Sequence, residues 1–281
     1  MNNFLKLVNF ELGRFIKVYF ILAGITVASQ LIGMALIAND YLEMFNEEVY
    51  TNGTSIELFV EYYGEISLLN LQYSQWFNLP ITFAVAVLII YSFFIWYRDW
   101  LGKNTFIYRL LMLPTARINI YLAKASAIFL MVLGLVALQV VLLNVESSML
   151  KWMVPANLRA DLGIMESIGG LHSGGSMLAV IIPTSFIQFL IHYGVGFMVV
   201  FILFTAILFE RSYRFKGIAY GVGYAIVAFV VFFAPFVVEI IIGRNYLFPT
   251  ELFILEGILW IVVTGSSIWV SNYLLNKKVT V

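Results

Sequence analysis

The chain has 281 residues, of which 62% are hydrophobic and only 11% are charged. Soluble domains carry about a quarter charged residues, so this composition, with a mean hydropathy of +0.94, excludes an ordinary soluble domain and predicts that lipid is the main solvent. Cysteine is absent, which excludes disulfides and cysteine-based metal or nucleophile chemistry. The 16 basic and 16 acidic residues balance, so the net charge by itself indicates no partner.

The first 17 residues carry apolar side chains interrupted by Lys6, Glu11, Arg14 and Lys17. This pattern is typical of an amphipathic helix, and we predict that residues 1–17 lie flat in the cytoplasmic membrane interface. The charges, and the lack of a small-residue cleavage site after the first apolar run, argue against a secretory signal. We therefore expect that run to remain in the protein as a span.

Six long apolar runs follow, each with about the 20 residues that a helix needs to cross hydrocarbon. They predict an all-α polytopic membrane protein in which residues 18–281 form one six-helix transmembrane domain. The fourth run is the longest, and we expect it to be tilted or broken near Pro183. Gly217 and Gly221, early in the fifth run, have the spacing of closely packed helices. The predicted spans cover about residues 18–38, 78–97, 119–144, 178–209, 218–241 and 251–275.

Two of the connecting segments are longer than the others. The first, from Asp40 to Phe77, is acidic and aromatic, and its pattern predicts a short amphipathic helix at about residues 56–69. The second, at about residues 145–177, ends in a glycine-rich stretch. We interpret this stretch as flexible chain, because a phosphate-binding loop needs a following lysine or a strand-to-helix context.

The basic residues are distributed unevenly among the connecting segments. If both termini are cytoplasmic, 13 of the 16 basic residues lie on the cytoplasmic side, and only Lys151, Arg159 and Arg244 lie outside. Cytoplasmic loops of membrane proteins carry an excess of Lys and Arg. The charge distribution therefore predicts that both termini face the cytoplasm.

Motifs for catalysis are missing from the sequence. There is no G-x-x-x-x-G-K-[ST] motif, so we expect no ATP hydrolysis by this chain itself. His172 and His192 lie in different segments and there is no H-E-x-x-H motif, so we predict neither a catalytic residue nor a metal site. Nothing in the sequence indicates a nucleic-acid partner.

The first inner loop, residues 98–118, has the pattern of a short amphipathic helix that ends at Pro114. In such a helix Leu110, Leu111 and Leu113 face an apolar surface. A segment of this kind is able to pack into a groove on a cytosolic partner.

The basic residues of the same loop have two interpretations. We expect Arg109 and Arg117 to be solvated beside the apolar face. Arg98, Lys103 and Lys124 fit better as anchors at anionic headgroups.

Residues 108–117, with the sequence YRLLMLPTAR, are followed shortly by Lys124 and the third span. This arrangement resembles the inner loop of ABC-2 type transporter permeases. The interfacial amino-terminal helix, the six spans, the inside termini and the length near 280 residues fit the same family. The resemblance implies a bacterial plasma-membrane subunit that pairs with a second permease, as a homodimer or heterodimer, and with two cytosolic ATPases that carry ATP and Mg²⁺. It also implies a coupling helix from about Lys103 to Pro114, within the loop at about residues 98–118. The candidate coupling residues are Arg109, Leu110, Leu111, Leu113 and Pro114.

Polar residues within the spans are the remaining candidates, because ionisable groups at membrane depth are costly. Gln188 and His192 are four residues apart and share one face of the fourth span. Glu239 and Glu256 flank the last outer loop together with Arg244. The candidates for a substrate path or a dimer interface are Gln188, His192, Glu239 and Glu256. Hydrogen bonding between helices and local pairing with Arg244 are the alternative interpretations.

We therefore expect the permease subunit of an ATP-driven exporter that moves an amphipathic or hydrophobic substrate, such as a peptide, an antimicrobial compound or a lipid. One alternative is a membrane scaffold or immunity protein that transports nothing. Another is an ion-coupled secondary transporter that depends on His192 or Glu256.

Overall fold

A computed structural model describes residues 2–101, 106–171, 177–242 and 248–279. Most of these residues are helical, which confirms the predicted all-α class. A π-helical turn, Glu47–Thr51, continues the first helix, and a 3₁₀ turn covers Ala156–Leu158. The α-helices are α1 (Asn2–Asn46), α2 (Ile56–Tyr63), α3 (Leu68–Gln72), α4 (Gln75–Trp100), α5 (Phe106–Leu111), α6 (Ile118–Met153), α7 (Ile164–Leu171), α8 (Met177–Ile181), α9 (Phe186–Tyr213), α10 (Phe215–Ile242) and α11 (Pro249–Lys277), and the strands are β1 (Ile66–Ser67) and β2 (Arg159–Ala160).

Within the described residues, six helices are long and apolar enough to cross a membrane. They are α1, α4, α6, α9, α10 and α11, and they coincide in order with the six predicted spans. The chain is therefore a multi-pass membrane protein of six apolar helices.

The amino-terminal segment differs from its prediction. Residues 2–17 belong to the same unbroken helix as the first span, because α1 runs from Asn2 to Asn46. No proline interrupts these residues, and the isolated Gly13 and Gly24 are tolerated inside a long helix. At 1.5 Å per residue α1 is about 67 Å long, roughly twice the hydrocarbon thickness, so part of it extends beyond the hydrocarbon.

The fourth span is broken at the predicted position. Helix α8 ends at Ile181 and α9 begins at Phe186, with Pro183 between them. A proline lacks the N–H that continues a helix, and its ring restricts the preceding residue. The break near Pro183 is therefore confirmed.

The chain divides into two compact units. The first, unit A, consists of Met1–Arg14, Ile89–Leu130 and Leu190–Val281. The second, unit B, consists of Phe15–Leu88 and Met131–Phe189. Unit B contains both of the long connecting segments, and unit A contains the first inner loop.

Unit B is built around an apolar core to which both long connecting segments contribute. Strand β1 pairs in parallel with β2, with Ile66 opposite Arg159. The hydroxyl of Tyr41 lies 2.8 Å from the carbonyl oxygen of Gly64 and 3.2 Å from that of Leu158. Helix α2 starts where the amphipathic helix was predicted, but it ends before Gly64, whose positive φ of 76° favours glycine. The buried core includes Met34, Phe59, Leu71, Phe77, Leu143, Leu158 and Ile168.

In unit A, a close hairpin joins α9 to α10. Arg214 makes the turn alone, with a left-handed φ of 55°. A Cβ added to Gly217 would collide with the backbone of Phe209 and Glu210, and one added to Gly221 would lie 2.6 Å from the carbonyl oxygen of Ala206. The predicted close packing at the G-x-x-x-G spacing is therefore confirmed, between α10 and α9.

We expect Gly221→Ala to destabilise the protein although alanine has the higher helix propensity, because its Cβ would press on the α9 backbone. The loss should be about 1–3 kcal/mol. The matched control is Gly223→Ala, where nothing lies within 4 Å of the added Cβ and the propensity gain should be about 0.5–1 kcal/mol. Thermal unfolding in detergent measures both variants, and an equal rise in melting temperature for the two would contradict the packing argument.

Candidate functional site

Three ionisable side chains from three helices meet in the interior of unit A. The ammonium of Lys124 on α6 donates to Glu11 Oε1 on α1 at 2.6 Å, to the carboxylate of Asp99 on α4, and to the carbonyl oxygen of Ile95 at 3.1 Å. Lys124 and Asp99 are completely buried and Glu11 is 2% exposed. We call these residues, with Arg14 and Arg98, the charge cluster.

Two arginines complete the charge cluster at its more exposed edge. Arg14 Nη1 lies 2.6 Å from Asp99 Oδ1, and Arg98 Nη2 lies 3.0 Å from Glu11 Oε2. Each carboxylate thus accepts from the lysine and from an arginine. Three cations face two anions, so the cluster carries a formal charge of +1. Buried charges are tolerated when they are paired and hydrogen-bonded in this way.

The charge cluster corrects one interpretation made from the sequence. Lys124 does not reach headgroups, because it is completely buried and its three acceptors belong to protein. Arg98 is bound to Glu11, while Lys103 lies outside the described residues. The sequence analysis did not predict Glu11 and Asp99 as partners of Lys124, because the sequence near a carboxylate does not indicate which cation it binds in the folded protein.

Helix α5 is attached to the charge cluster through aromatic contacts. Phe106 stacks on Phe10 with 5.6 Å between ring centroids, and the guanidinium of Arg14 lies 5.1 and 5.2 Å from the two rings. Tyr108 meets Trp100, the last residue of α4, edge to face. Helix α5 is therefore connected to the ends of α1 and α4 that carry the cluster.

The predicted coupling residues divide into two groups. Leu110 and Leu111 are 4% and 5% exposed and pack, like Ile107, into the protein. Their burial agrees with the predicted apolar face but leaves them unable to touch a partner. Leu113, by contrast, is exposed, as are Arg109 and Pro114. We define the α5 surface as the exposed residues Tyr108, Arg109, Met112, Leu113 and Pro114.

Arg117 differs from the solvated position expected for it. Its guanidinium donates to the carbonyl oxygens of Leu275 at 2.7 Å and Val279 at 3.1 Å. The last carbonyl groups of a helix have no intrahelical partner, and a cation near them is favourable. Arg117 therefore ties the start of α6 to the end of α11.

The polar residues predicted for a substrate path are not brought together as a group. Gln188 accepts hydrogen bonds from the backbone N–H and the hydroxyl of Thr184, at 2.9 and 2.8 Å, so it stabilises the start of α9. Glu239 is partly exposed in the last turn of α10. The predicted pairing with Arg244 lies outside the described residues, as does His172.

His192 and Glu256 lie at similar depth on two neighbouring helices of unit A. Trp260 on α11 donates to the carbonyl oxygen of Gly194 on α9, and the hydroxyls of Ser271 and Thr205 are 2.9 Å apart. In both contacts the α11 residue lies the same number of positions after its α9 partner, so the two helices run parallel. By the same alignment, His192 and Glu256 differ in position by about 3 Å along the helix axis. His192 Nδ1 and both carboxylate oxygens of Glu256 are buried without a hydrogen-bond partner.

We expect Lys124→Met to destabilise the protein by about 1–3 kcal/mol, because the buried Glu11 and Asp99 carboxylates lose their hydrogen bonds to the lysine and keep only those to the two arginines. The control is Lys6→Met, which removes an exposed lysine from the same unit. Adding Asp99→Asn to Lys124→Met should cost less than the sum of the two single changes. Unfolding in detergent measures all four variants, and similar melting temperatures for Lys124→Met and Lys6→Met would refute the role of the cluster.

Comparisons with known proteins identify no relative of this chain. No protein-family model matches the chain, and there is no significant match among curated proteins or solved structures. The resemblance to ABC-2 permeases therefore stays a prediction from the sequence.

Proposed function

We propose that this chain is the membrane permease subunit of an ATP-driven ABC exporter in a bacterial plasma membrane. ATP and Mg²⁺ would be bound by separate cytosolic ATPase subunits, and two permeases, identical or different, would form the pathway. The observation that carries the proposal is the α5 surface, a short exposed segment attached to a buried charge cluster that joins three membrane helices. The proposed substrate is amphipathic or hydrophobic, such as a peptide, an antimicrobial compound or a lipid.

The α5 surface has the composition of a docking site for a cytosolic protein. Met112 is 70% exposed and Leu113 is 41% exposed, and Arg109 adds a positive charge beside them. Short amphipathic helices bind partners by laying apolar side chains into a groove. A partner with an apolar groove and an acidic rim would complement this surface.

The attachment of α5 would let a push from an ATPase reach the membrane helices. Phe106 and Arg14 connect α5 to α1, and Lys124 joins α1, α4 and α6 through two buried carboxylates. Separating such buried ion pairs costs several kcal/mol. A force on α5 would therefore move the three helix ends together instead of being absorbed in a flexible loop.

We expect the double variant Met112→Asp, Leu113→Asp to lose its ATPase partner while keeping its fold, because both side chains are exposed. The variant Leu111→Asp is unsuitable, since Leu111 is buried and the change would unfold the protein. The measurement is affinity purification from the native host, with mass spectrometry for a soluble Walker-motif ATPase. Met165→Asp, at a residue of α7 that is 73% exposed, is the control. Failure of the wild-type protein to retain any such ATPase would favour the scaffold or immunity protein.

His192 and Glu256 favour a second candidate, an ion-coupled secondary transporter. Buried ionisable groups within spans are costly and commonly mark ion or substrate pathways. In the exporter Glu256 would instead contact the cationic part of an amphipathic substrate.

We expect Glu256→Gln to reduce the efflux of an amphipathic cationic dye from cells by at least about tenfold, because the variant cannot form an ion pair with the bound dye. A tenfold loss corresponds to about 1.4 kcal/mol. Glu43→Gln, at an exposed carboxylate of α1, should leave efflux unchanged. ATPase association should be unaffected by either change. Efflux that survives ATP depletion yet is abolished by Glu256→Gln would replace the exporter with the ion-coupled transporter.

A further inference from the structure

Three polar side chains are buried completely in the apolar core of unit B. They are Gln72 on α3, Glu146 on α6 and Ser167 on α7, and each has a relative exposure of 0%. Their polar atoms, namely both carboxylate oxygens, both amide atoms and the hydroxyl oxygen, have no hydrogen-bond partner. Buried polar groups in native proteins are nearly always paired, so three orphaned side chains in one core require an explanation.

Gln72 and Ser167 both belong to the interface between α3 and α7. Gly170 faces Leu69 so closely that an added Cβ would lie 3.0 Å from the leucine side chain, and the hydroxyl of Tyr73 donates to the Gly170 carbonyl oxygen at 3.2 Å. Gln72 is one turn after Leu69, and Ser167 is one turn before Gly170. Residues three apart share a helix face, so we infer that both side chains lie on the facing sides of the two helices.

Glu146 approaches the same core from α6. Leu143 and Leu150, which precede and follow it by about one turn, are buried in the cluster that also contains Leu71 and Ile168. Those last two residues are the chain neighbours of Gln72 and Ser167. Because Glu146 is buried and shares a helix face with these leucines, we infer that its carboxylate projects into this core.

The basic residues near this part of α6 do not neutralise Glu146. The guanidinium of Arg159 is occupied by the Asp161 carboxylate and by the carbonyl oxygens of Lys151 and Val154. Lys151 itself is exposed. A carboxylate that is buried without a counter-charge is strongly unfavourable, so the core needs a cation from outside the chain or a proton.

We propose that Glu146, Gln72 and Ser167 form a binding site for a sodium ion. Together they offer four oxygen atoms and one negative charge, which suits a monovalent cation with water completing its shell. Calcium takes six to eight oxygen ligands, usually from several carboxylates. The described residues contain no group of three or more His, Cys, Asp or Glu side chains that could hold such an ion. Complete burial of all three side chains favours an ion over a larger organic cation.

The proposed ion would bridge α3, α6 and α7 within unit B. It would stabilise the region formed by the two long connecting segments, and it does not depend on the proposed transport function. The substitution Glu146→Gln removes the charge while preserving the shape, and Ser167→Ala removes one neutral ligand. Glu61→Gln, at an exposed carboxylate of α2, is the matched control.

The test is thermal unfolding of the purified full-length protein in detergent, in sodium chloride and in N-methyl-glucamine chloride at equal ionic strength. Saturating sodium should raise the melting temperature of the wild type and of Glu61→Gln by roughly 3–5 °C. Glu146→Gln should abolish this rise, and Ser167→Ala should shift the sodium concentration for half the effect upward by about tenfold. Equilibrium binding of radioactive sodium to the same proteins gives an independent readout.

Two results would overturn the sodium site. One is an equal melting temperature of the wild type in the two salts together with no retained radioactive sodium, which would indicate a buried neutral carboxylic acid. The other is a sodium response that persists in Glu146→Gln. If Glu146→Gln does not fold, Ser167→Ala decides the question, because an unchanged sodium response in that variant contradicts its role as a ligand.

Discussion

The ion pairs of Lys124 with Glu11 and Asp99 are the constraint on which unit A depends. In lipid, apolar side chains gain nothing from packing on one another instead of on acyl chains, so helix association relies on close packing and on polar contacts. A lysine that is completely buried between two carboxylates is an unusually strong contact of this kind. It determines which ends of α1, α4 and α6 lie together.

This constraint extends to the segment that we propose as the docking site. Phe10 and Arg14 belong to the same part of α1 as Glu11, and they hold Phe106 at the start of α5. Arg117, just after α5, ties the loop to the end of α11. The segment from Phe106 to Arg117 is therefore attached at both of its ends, and a load on the α5 surface would be carried by helices.

Each unit pairs some of its buried polar groups within the protein and leaves others without a partner. In unit A, the hydroxyl of Tyr121 donates to the carbonyl oxygen of Phe201 on α9, and Thr205 Oγ1 on α9 lies 3.2 Å from the carbonyl oxygen of Ser267 and 2.9 Å from Ser271 Oγ on α11. In unit B, Gln30 and Gln139 pair reciprocally at 3.2 and 3.0 Å, whereas Gln72, Glu146 and Ser167 are left without partners. A sodium ion with water would supply the missing partners of Gln72, Glu146 and Ser167, which is why we propose the sodium site among these three residues.

The sequence by itself determined the elements whose signals are local. Spans follow from runs of about 20 apolar residues, and the break near Pro183 follows from a missing N–H. Close packing at Gly217 and Gly221 follows from the absence of side chains there, whereas the structure alone shows that α9 is the partner. A short helix was predicted to end at Pro114, because proline lacks the N–H that continues a helix, and helix α5 ends at Leu111.

Only the tertiary structure decided which partner each charge has. A lysine such as Lys124 near a membrane boundary is equally compatible with headgroups and with a buried carboxylate, because both stabilise a cation. The same limit explains why Leu110 and Leu111 proved to be buried while Leu113 is exposed, since an apolar face does not specify whether its own protein or a partner covers it. Local chemistry thus determined the helices, and contacts between residues that are distant along the chain determined the charge cluster and the α5 surface.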